Sequence, residues 1–487
     1  MPVDHSAAAP TLHQSGAPLT APLQSTASPW PIFRIASLAV FLVSLDSTVV
    51  VAAFPALRAA FVGVSPADLS WVLNAYTVLY AALLVPAGRL ADLLGRKRLF
   101  LHGVALFTVA SALCGLASSP AMLIVLRALQ AAGAALLTPA SLALILRAFP
   151  PAQRPVAVSL WSAVGAFAAA LGPAAGSWLL ERTSWQWIFL INVPVGILTW
   201  LLARKVFVES TSPETAAKPD WPGIALLILG VGALALGIVK SDAWGWRSSS
   251  TWLTIAVGWA LLLLFVGWAR NRPSAALDLT LFQDRTYLFV NLATLVFGIA
   301  FTAMFLSFFL FVTGIWHYSQ SLAGLAITPG PLMVIPVAIV AGRVAARIGH
   351  RRLLVAGGLL YACSNIWYAW RIGVTPDYLG FWLPGQIVGG IAIGLVLPAL
   401  SGAAAARLAP SQFGVGNAVN NAIRQIGSVI GAALAIGLVG RVGATLESFR
   451  EVYLLLAALG IATSVLSMPV DTRPRTIVVR PAADAGP

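Results

Sequence analysis

Long runs of apolar residues, separated by short polar segments, make up most of the chain. A helix crosses the ~30 Å hydrocarbon layer of a membrane when about 20 consecutive residues are apolar. Fourteen runs satisfy this condition, and they lack the two-residue alternation of a membrane β-barrel, so the pattern predicts fourteen transmembrane helices. The predicted spans are 32–57, 70–91, 99–117, 121–147, 156–180, 185–204, 221–239, 252–269, 287–313, 321–346, 353–370, 379–405, 415–439 and 451–469.

The basic residues between the spans predict the orientation of the chain. An even number of spans places both termini on the same side of the membrane. If that side is the cytoplasm, 21 of the 30 Lys and Arg residues fall in cytoplasmic loops and tails and seven in the opposite loops, while Arg127 and Arg424 lie inside spans. This asymmetry follows the positive-inside rule and predicts a multi-pass protein with cytoplasmic termini.

Two blocks of sequence recur at nearly the same spacing. Residues 88–98 match residues 342–352 at an offset of 254, and five residues between Pro139 and Gly172 recur at an offset of 259. Two copies in register predict two homologous halves of six spans each, a construction common among transporters. The seventh and eighth spans have no counterpart in either half, so they are interpreted as an inserted pair.

These patterns divide the chain into five parts. The first 29 residues are rich in Ala, Pro, Ser and Thr and contain no Lys or Arg, so they predict a disordered tail and not a secretory signal. The predicted parts are a disordered cytoplasmic tail (1–29), an N-terminal six-helix bundle (30–207), an inserted two-helix segment (208–272), a C-terminal six-helix bundle (273–470) and a cytoplasmic tail (471–487).

The composition excludes several classes of protein. The chain is 59% hydrophobic and 9% charged, whereas soluble domains are about half apolar and about one quarter charged, so a soluble enzyme is excluded. The net charge of +14 does not indicate nucleic-acid binding, because the basic residues lie between apolar runs and not on one polar face. No phosphate-binding GxxxxGK[ST] loop and no Cys–His cluster is present, so neither a nucleotide, a metal nor another cofactor is expected.

Two motifs resemble those of the major facilitator superfamily as a whole. Residues 88–98 resemble its cytoplasmic loop motif at every expected position. Arg127, followed by Gln130 and Gly133, resembles the basic motif of its fourth span. The resemblance implies two six-helix bundles around a central cavity.

Two further motifs resemble those of drug:proton antiporters in that superfamily. The fifth span carries the residues of the antiporter motif, which are Gly165, Gly172, Pro173 and Gly176. Residues 45–50 (LDSTVV) with Pro55 resemble the first-span motif of the fourteen-span, EmrB/QacA-like branch. Over residues 32–469 the resemblance therefore implies an all-α integral membrane protein with the major facilitator fold, an inserted helix pair and a location in the cell (inner) membrane.

Asp46 is the only acid in the middle of a predicted span. A carboxylate at the bilayer centre costs roughly 2.5–3.5 kcal/mol on insertion scales, and intramembrane acids are functional by default. We expect Asp46 to bind and release a proton, and the resemblance implies that Arg127 takes part in the coupling. The alternatives are a structural acid tied to the backbone or to an Asn, and an arginine that donates to backbone carbonyls.

The loop motif is expected to act as a gate, and the fifth-span motif as a hinge. Gly88 and Gly95 permit a tight turn, Asp92 can face a helix N-terminus or an Arg, and the basic residues anchor the cytoplasmic side. The gating loop comprises Gly88, Arg89, Asp92, Gly95, Arg96, Lys97 and Arg98. The second copy has Ala346 in place of Asp92, so a charge-pair latch there must differ. The simpler alternatives are a topology anchor and an ordinary kinked helix.

Polar and aromatic residues within spans are candidates for the substrate cavity. They are Asn74, Tyr76, Gln130, Trp161, Phe301, Phe305, Asn421 and Arg424. The alternative for each is helix packing, or contact with lipid for the Phe residues. His317 and His350 lie near span ends and are interpreted as surface residues.

The expected function is proton-driven export of small lipophilic compounds, cationic or neutral, by alternating access. The expected partners are a small-molecule substrate, protons and the lipid bilayer, without nucleic acid or nucleotide. One alternative keeps the fold but exports an endogenous lipid, metabolite or peptide, so common cationic dyes would not compete. Another is a membrane sensor or scaffold, which would show no flux after reconstitution.

Overall fold

The computed structural model describes residues 28–64, 66–210, 220–245, 247–270, 272, 275–440 and 445–473. These residues form fourteen long helices and no β-strand. The helices are α1 (Trp30–Ala60), α2 (Trp71–Leu94), α3 (Arg96–Cys114), α4 (Pro120–Ala148), α5 (Arg154–Leu180), α6 (Asn192–Val206), α7 (Trp221–Trp244), α8 (Ser249–Ala269), α9 (Arg285–Gly314), α10 (Pro329–Ile348), α11 (Arg351–Arg371), α12 (Leu383–Ala405), α13 (Phe413–Gly440) and α14 (Leu446–Leu466). Short helices precede α6 and α10, and a π-helical turn precedes α12.

The fourteen helices coincide with the fourteen predicted spans. Among the described residues, thirteen helices are long and apolar enough to cross a membrane. The other is α13, whose 28 residues extend about 42 Å at ~1.5 Å per residue, more than the hydrocarbon thickness. The predicted spans therefore agree with the structure, whereas most of the predicted tails 1–29 and 471–487 lies outside the described residues.

Polar side chains mark where several helices begin. Ser119, Asp220, Asp284 and Thr445 each accept a hydrogen bond from a backbone N–H two or three residues into the helix that follows. Such caps satisfy N–H groups that have no partner within the helix. Local sequence thus fixes the helix starts, and the apolar runs between the caps fix the length.

The two halves use equivalent helix pairs. In the first half α1 packs against α5, α3 against α4, and α2 against α4. In the second half α9 packs against α13, α11 against α12, and α10 against α12. Each second-half pair is the first-half pair displaced by eight helices, so the sequence repeat is also a structural repeat, as in the predicted major facilitator fold.

The halves meet along two seams, and the inserted pair lies beside one of them. One seam joins α2 to α13, and the other joins α5 to α10. Helix α7 packs against both α2 and α13, and α8 packs against α7. The Lys240 ammonium lies 4.7 Å from the centre of the Trp71 ring, which ties α7 to α2. The inserted pair therefore covers the first seam on its outer side.

Candidate transport site

Asp46 and Arg127 form an ion pair inside the first half. Asp46 lies midway along α1 and Arg127 lies on α4, and their side chains are 0% and 1% exposed. Arg127 Nη1 donates to Asp46 Oδ2 at 2.6 Å, and Arg127 Nε donates to the Val72 carbonyl at 3.1 Å. Because each charge neutralises the other, the pair avoids the cost of an isolated buried charge.

Two amides complete the surroundings of the Asp46 carboxylate. Gln130 Nε2 and Asn192 Nδ2 each donate to Asp46 Oδ1 at 2.9 Å. Both amides also donate to Ser111 Oγ, at 3.0 and 3.1 Å, and Gln130 Oε1 accepts from Arg127. The carboxylate thus accepts from residues of α4 and α6, while Ser111 of α3 holds both amides, and the carboxylate is sealed from solvent in this conformation.

Two stacked tyrosines extend from this ion pair towards the second half. The Arg127 guanidinium lies 4.2 Å from the Tyr76 ring centre, and the Tyr76 and Tyr80 rings stack with centres 5.8 Å apart. Tyr80 donates to Thr138 Oγ1 at 3.1 Å. Both tyrosines lie on α2, which forms the first seam with α13, so the stack extends from the buried pair towards the second half.

The fifth-span glycines bring α5 into close contact with α1 beside Asp46. A methyl group at Gly172 would lie 2.0 Å from Thr48 Oγ1 and 2.9 Å from the Val49 amide nitrogen. A methyl group at Gly176 would lie 2.9 Å from Val49 Cγ2. Gly165 faces the same helix, and Pro173 lies inside the unbroken α5. The motif thus fixes the distance between α5 and the helix that carries Asp46.

Asp92 and Arg96 connect the two halves at the end of the α2–α13 seam. The Asp92 carboxylate accepts from the backbone N–H groups of Gly414 and Val415, at 3.2 and 3.0 Å, at the start of α13. Arg96 donates to Asp92 at 2.8 Å and to the Pro410 carbonyl at 2.7 Å. Both side chains are fully buried, so we call these contacts the latch.

The other residues of the gating loop shape the turn and the surface around the latch. Gly88 packs against α13, where a methyl group would lie 2.5 Å from Ala418 Cβ, and Gly95 has a φ of +111°. Arg89 is half-buried, and Lys97 Nζ donates to the Arg204 carbonyl at 3.0 Å. The Arg98 side chain is 73% exposed. The structure therefore separates the two buried latch residues from a basic surface.

An acid outside the motif caps the helix that follows the loop. Glu209 accepts from the backbone N–H groups of Lys97 and Arg98, at 3.1 and 3.0 Å, in the first turn of α3. Sequence reasoning missed this residue, because it lies 112 positions from the helix that it caps. Only the return of the chain after α6 brings it there.

The loop that meets the latch is held by two acids of the second half. Arg407 forms an ion pair with Asp284, and Gln412 Nε2 donates to Asp278 Oδ2 at 3.0 Å. These contacts fix the chain between α12 and α13, which supplies the Pro410 carbonyl to the latch. The second half therefore contributes a rigid acceptor to this contact.

The second copy of the loop motif closes its seam without a carboxylate. Ala346 stands at the position of Asp92, and Gly342 packs directly on α5, where a methyl group would lie 2.9 Å from Val156 Cα. The contact is therefore one of close backbone packing. The two seams use different chemistry.

The interpretation of His350 as a surface residue was wrong. His350 is 1% exposed, its backbone N–H donates to Thr472 Oγ1 at 2.9 Å, and its Nδ1 lies 2.8 Å from the same oxygen. Burial lowers the pKa of His350 to about 4, so the imidazole is neutral at pH 7. The chain after α14 folds back over this position, which sequence proximity to a span end does not reveal. His317 is exposed, as expected.

A small apolar cavity lies in the second half, beside the α5–α10 seam. Its volume is about 20 Å³, room for roughly one water molecule. Phe301 and Phe305 line it, together with Met304 and Phe308 of the same helix. Gln386 of α12 is a polar wall residue that the sequence did not single out. A larger compound therefore needs the surrounding helices to separate.

The other predicted cavity residues lie elsewhere. Gln130 and Tyr76 belong to the Asp46 surroundings, and Trp161 is buried with its Nε1 donating to Ser141 Oγ at 3.2 Å. Asn74 donates to Ser70 Oγ at 3.2 Å near the start of α2. These four residues do not line the small cavity in this conformation, because their side chains contact other residues of the first half. Asn421 and Arg424 lie together on α13.

The residues that complete the Asp46 site were only partly visible in the sequence. Asn192 is a polar residue within the apolar sixth span, and this contrast is the feature of the sequence that could have identified it. Ser111 carries no signal, because serine is common in apolar helices and its partner is 81 residues away. Among the described residues, no group of His, Cys, Asp and Glu has the arrangement of a metal site.

Comparison with known proteins places this arrangement in a family. Residues 36–271 and 290–485 match the family model of the Major Facilitator Superfamily. The chain is 32% identical over 483 residues to the cephamycin export protein CmcT of Amycolatopsis lactamdurans, covering 96% of this chain and 99% of CmcT. It is 31% identical over 433 residues to the probable multidrug resistance protein EmrY of Escherichia coli, covering 87% and 84%. The crystal structure of the human organic anion transporter MFSD10 shares the fold, with a TM-score of 0.65 and 16% identity over 91% of this chain and all of that one. The chain therefore belongs to the major facilitator superfamily, in its EmrB/QacA-like branch.

Proposed function

We propose that the protein exports small lipophilic drugs across the cell membrane in exchange for protons. The bacterial inner membrane is the proposed location, with both termini in the cytoplasm, as the distribution of basic residues indicates. The names of its relatives, which include an antibiotic exporter and a multidrug resistance protein, support a drug as cargo. The proton gradient and the membrane potential supply the free energy, the latter at ~2.3 kcal/mol per charge per 100 mV, without a nucleotide.

The observation that carries the proposal is the sealed Asp46–Arg127 pair. With Asp46 ionised, the pair is neutral and the packed arrangement of α1, α3, α4 and α6 is satisfied. Protonation of Asp46 leaves the Arg127 guanidinium buried without a counter-charge, and breaking a buried pair in this way costs about 3–5 kcal/mol. The protein relieves that cost by changing conformation, so proton binding and helix movement are coupled.

The contacts of α1 transmit this change to the seams. Gly172 lets α1 touch α5 two residues after Asp46, and α5 forms the second seam with α10. The latch holds the other seam closed at its Asp92 end in this conformation. A shift of α1 relative to α5 therefore acts on the contact between halves, which is the requirement for alternating access.

The decisive experiment is dye efflux from proteoliposomes under an imposed pH gradient. We expect wild-type protein to move ethidium faster when the gradient is present, and Asp46→Asn to lose that dependence because its amide cannot exchange a proton. Glu451→Gln is the matched control, since Glu451 is an exposed acid of α14. An unchanged gradient dependence in Asp46→Asn removes Asp46 from the mechanism, and absence of ethidium flux in wild-type protein refutes export of this class of lipophilic cations.

A further inference from the structure

Arg424 is a cation in the interior of α13, and none of the carboxylates that the structure describes pairs with it. It lies ten residues after Gly414, and so about 15 Å along α13 from the latch. In the part of the chain that the structure describes, no acid forms an ion pair with it. Asp46, the acid in the middle of α1, is already paired with Arg127. Among the described residues, the charge of Arg424 therefore has no ion-pair partner.

The hydrogen bonds of Arg424 leave most of its donors available. A guanidinium has five N–H donors. Among the described residues its side chain makes one hydrogen bond, from Nη2 to Asn421 Oδ1 at 2.8 Å. The other amides of this turn are used elsewhere, since Asn421 Nδ2 donates to the Asn417 carbonyl and Asn420 donates to Asn291 and Thr294. Arg424 is half-buried, so part of the guanidinium borders open space.

The helices that pack against α13 place it between the inserted pair and the first half. Helix α7 lies against both α2 and α13 and shields their seam from outside. Helix α13 also packs against α4 of the first half. Arg424 therefore lies on a helix at the boundary between the halves, where a central cargo passes in alternating access.

The helix that packs against the backbone of Arg424 carries aromatic residues. Gly298 of α9 packs on the Arg424 backbone, where a methyl group would lie 2.9 Å from the Arg424 carbonyl oxygen. Phe301 and Phe305 follow on the same helix, about 4.5 and 10 Å further along its axis. The helix that contacts the Arg424 backbone therefore also carries aromatic residues that line the small apolar cavity.

We propose that Arg424 binds the anionic group of the exported compound, so that lipophilic acids are a preferred substrate class. A carboxylate accepts two parallel hydrogen bonds from a guanidinium, and this pairing removes the cost of an unpaired charge in the membrane. The inference rests on the proposed export function and refines the cargo, for which the sequence indicated cationic or neutral compounds. An acid bound here leaves the charge of the Asp46–Arg127 pair unchanged.

The test compares 1-pyrenebutyrate with its uncharged methyl ester at neutral pH. Binding to purified full-length protein is followed by energy transfer from its 17 tryptophans to pyrene. We expect wild-type protein to bind the acid more tightly than the ester. Arg424→Gln should weaken acid binding at least about tenfold and leave ester binding unchanged, because one charge-assisted contact is lost. Arg424→Lys should restore part of the preference.

Controls separate this site from a structural role and from the export proposal. Arg371→Gln removes an exposed arginine at the end of α11 and should leave both affinities unchanged. Equal weakening of acid and ester in Arg424→Gln, or no weakening, overturns the anion site, as does failure of wild-type protein to bind the acid. Flux into proteoliposomes is measured separately. If wild-type protein binds the acid through Arg424 but shows no gradient-driven flux, the export proposal fails and the anion site stands. If the protein moves ethidium but Arg424→Gln binds the acid as tightly as wild type, the anion site fails and the export proposal stands.

Discussion

Replacement of Asp92 by asparagine should open the latch while leaving each half folded. The carboxylate receives four hydrogen bonds, two from Arg96 and one each from the Gly414 and Val415 backbones. Asparagine removes the negative charge and turns one acceptor oxygen into an NH₂ donor. That donor faces other donors, and the buried guanidinium of Arg96 loses its counter-charge.

The free-energy cost of Asp92→Asn can be estimated from the contacts that the latch makes in the closed conformation. Removing one member of a buried ion pair costs about 3–5 kcal/mol. Because the bonds to α13 form only when the two halves meet at the latch, much of this cost falls on the closed conformation. Since 1.4 kcal/mol corresponds to a factor of ten, a loss of ~3 kcal/mol lowers the ratio of latched to unlatched protein about 100-fold.

Distances between spin labels measure this ratio directly. Cysteines at Leu94, which is 49% exposed at the end of α2, and at the exposed Ala406 after α12 report on the two halves. The exposed Cys363 is first replaced by serine. We expect one short distance in the parent protein and an additional longer one in Asp92→Asn. Arg98→Ala alters the same loop at an exposed position and should change nothing. Identical distance distributions in Asp92→Asn and the parent would refute the latch.

Two further predictions concern packing and pH. Gly172→Ala should lower the melting temperature, since its methyl group overlaps Thr48 and overpacking costs typically 1–3 kcal/mol. The control Gly267→Ala should not lower it, because the added methyl group meets nothing within 4 Å. Equal melting temperatures of the two variants would contradict the close α1–α5 contact. Burial lowers the pKa of His350 to about 4, so between about pH 6.5 and 4 the unfolded chain binds the additional proton. Stability is therefore present above about pH 6.5 and is lost on acidification, by roughly 1.4 kcal/mol per unit of pKa difference. Thermal unfolding from pH 7.5 to 4 should show a smaller decline for His350→Gln, and parallel curves would contradict the buried neutral imidazole.

The main chemical groups of the site were predictable because they stand out against an apolar background. A charged residue inside a span is conspicuous in the sequence, and this alone identifies Asp46, Arg127 and Arg424. Their pairing was not predictable, since all three are compatible with any partner that packing brings near. The structure joins Asp46 to Arg127 across 81 residues and leaves Arg424 without an acid among the described residues.

The sequence by itself determined the number of helices, their approximate ends, the two-fold repeat and the location of the mid-membrane charges. These properties are local: the transfer of each residue into hydrocarbon depends on its own side chain, and the hydropathy sums along the chain. Only the tertiary structure decided that Asp92 meets the start of α13 across 322 residues, that His350 is buried beneath the chain after α14, and that α7 covers one seam. These contacts depend on which faces of the helices pack against each other. That pairing is determined by the shapes of side chains from distant parts of the chain and by how closely their backbones can approach.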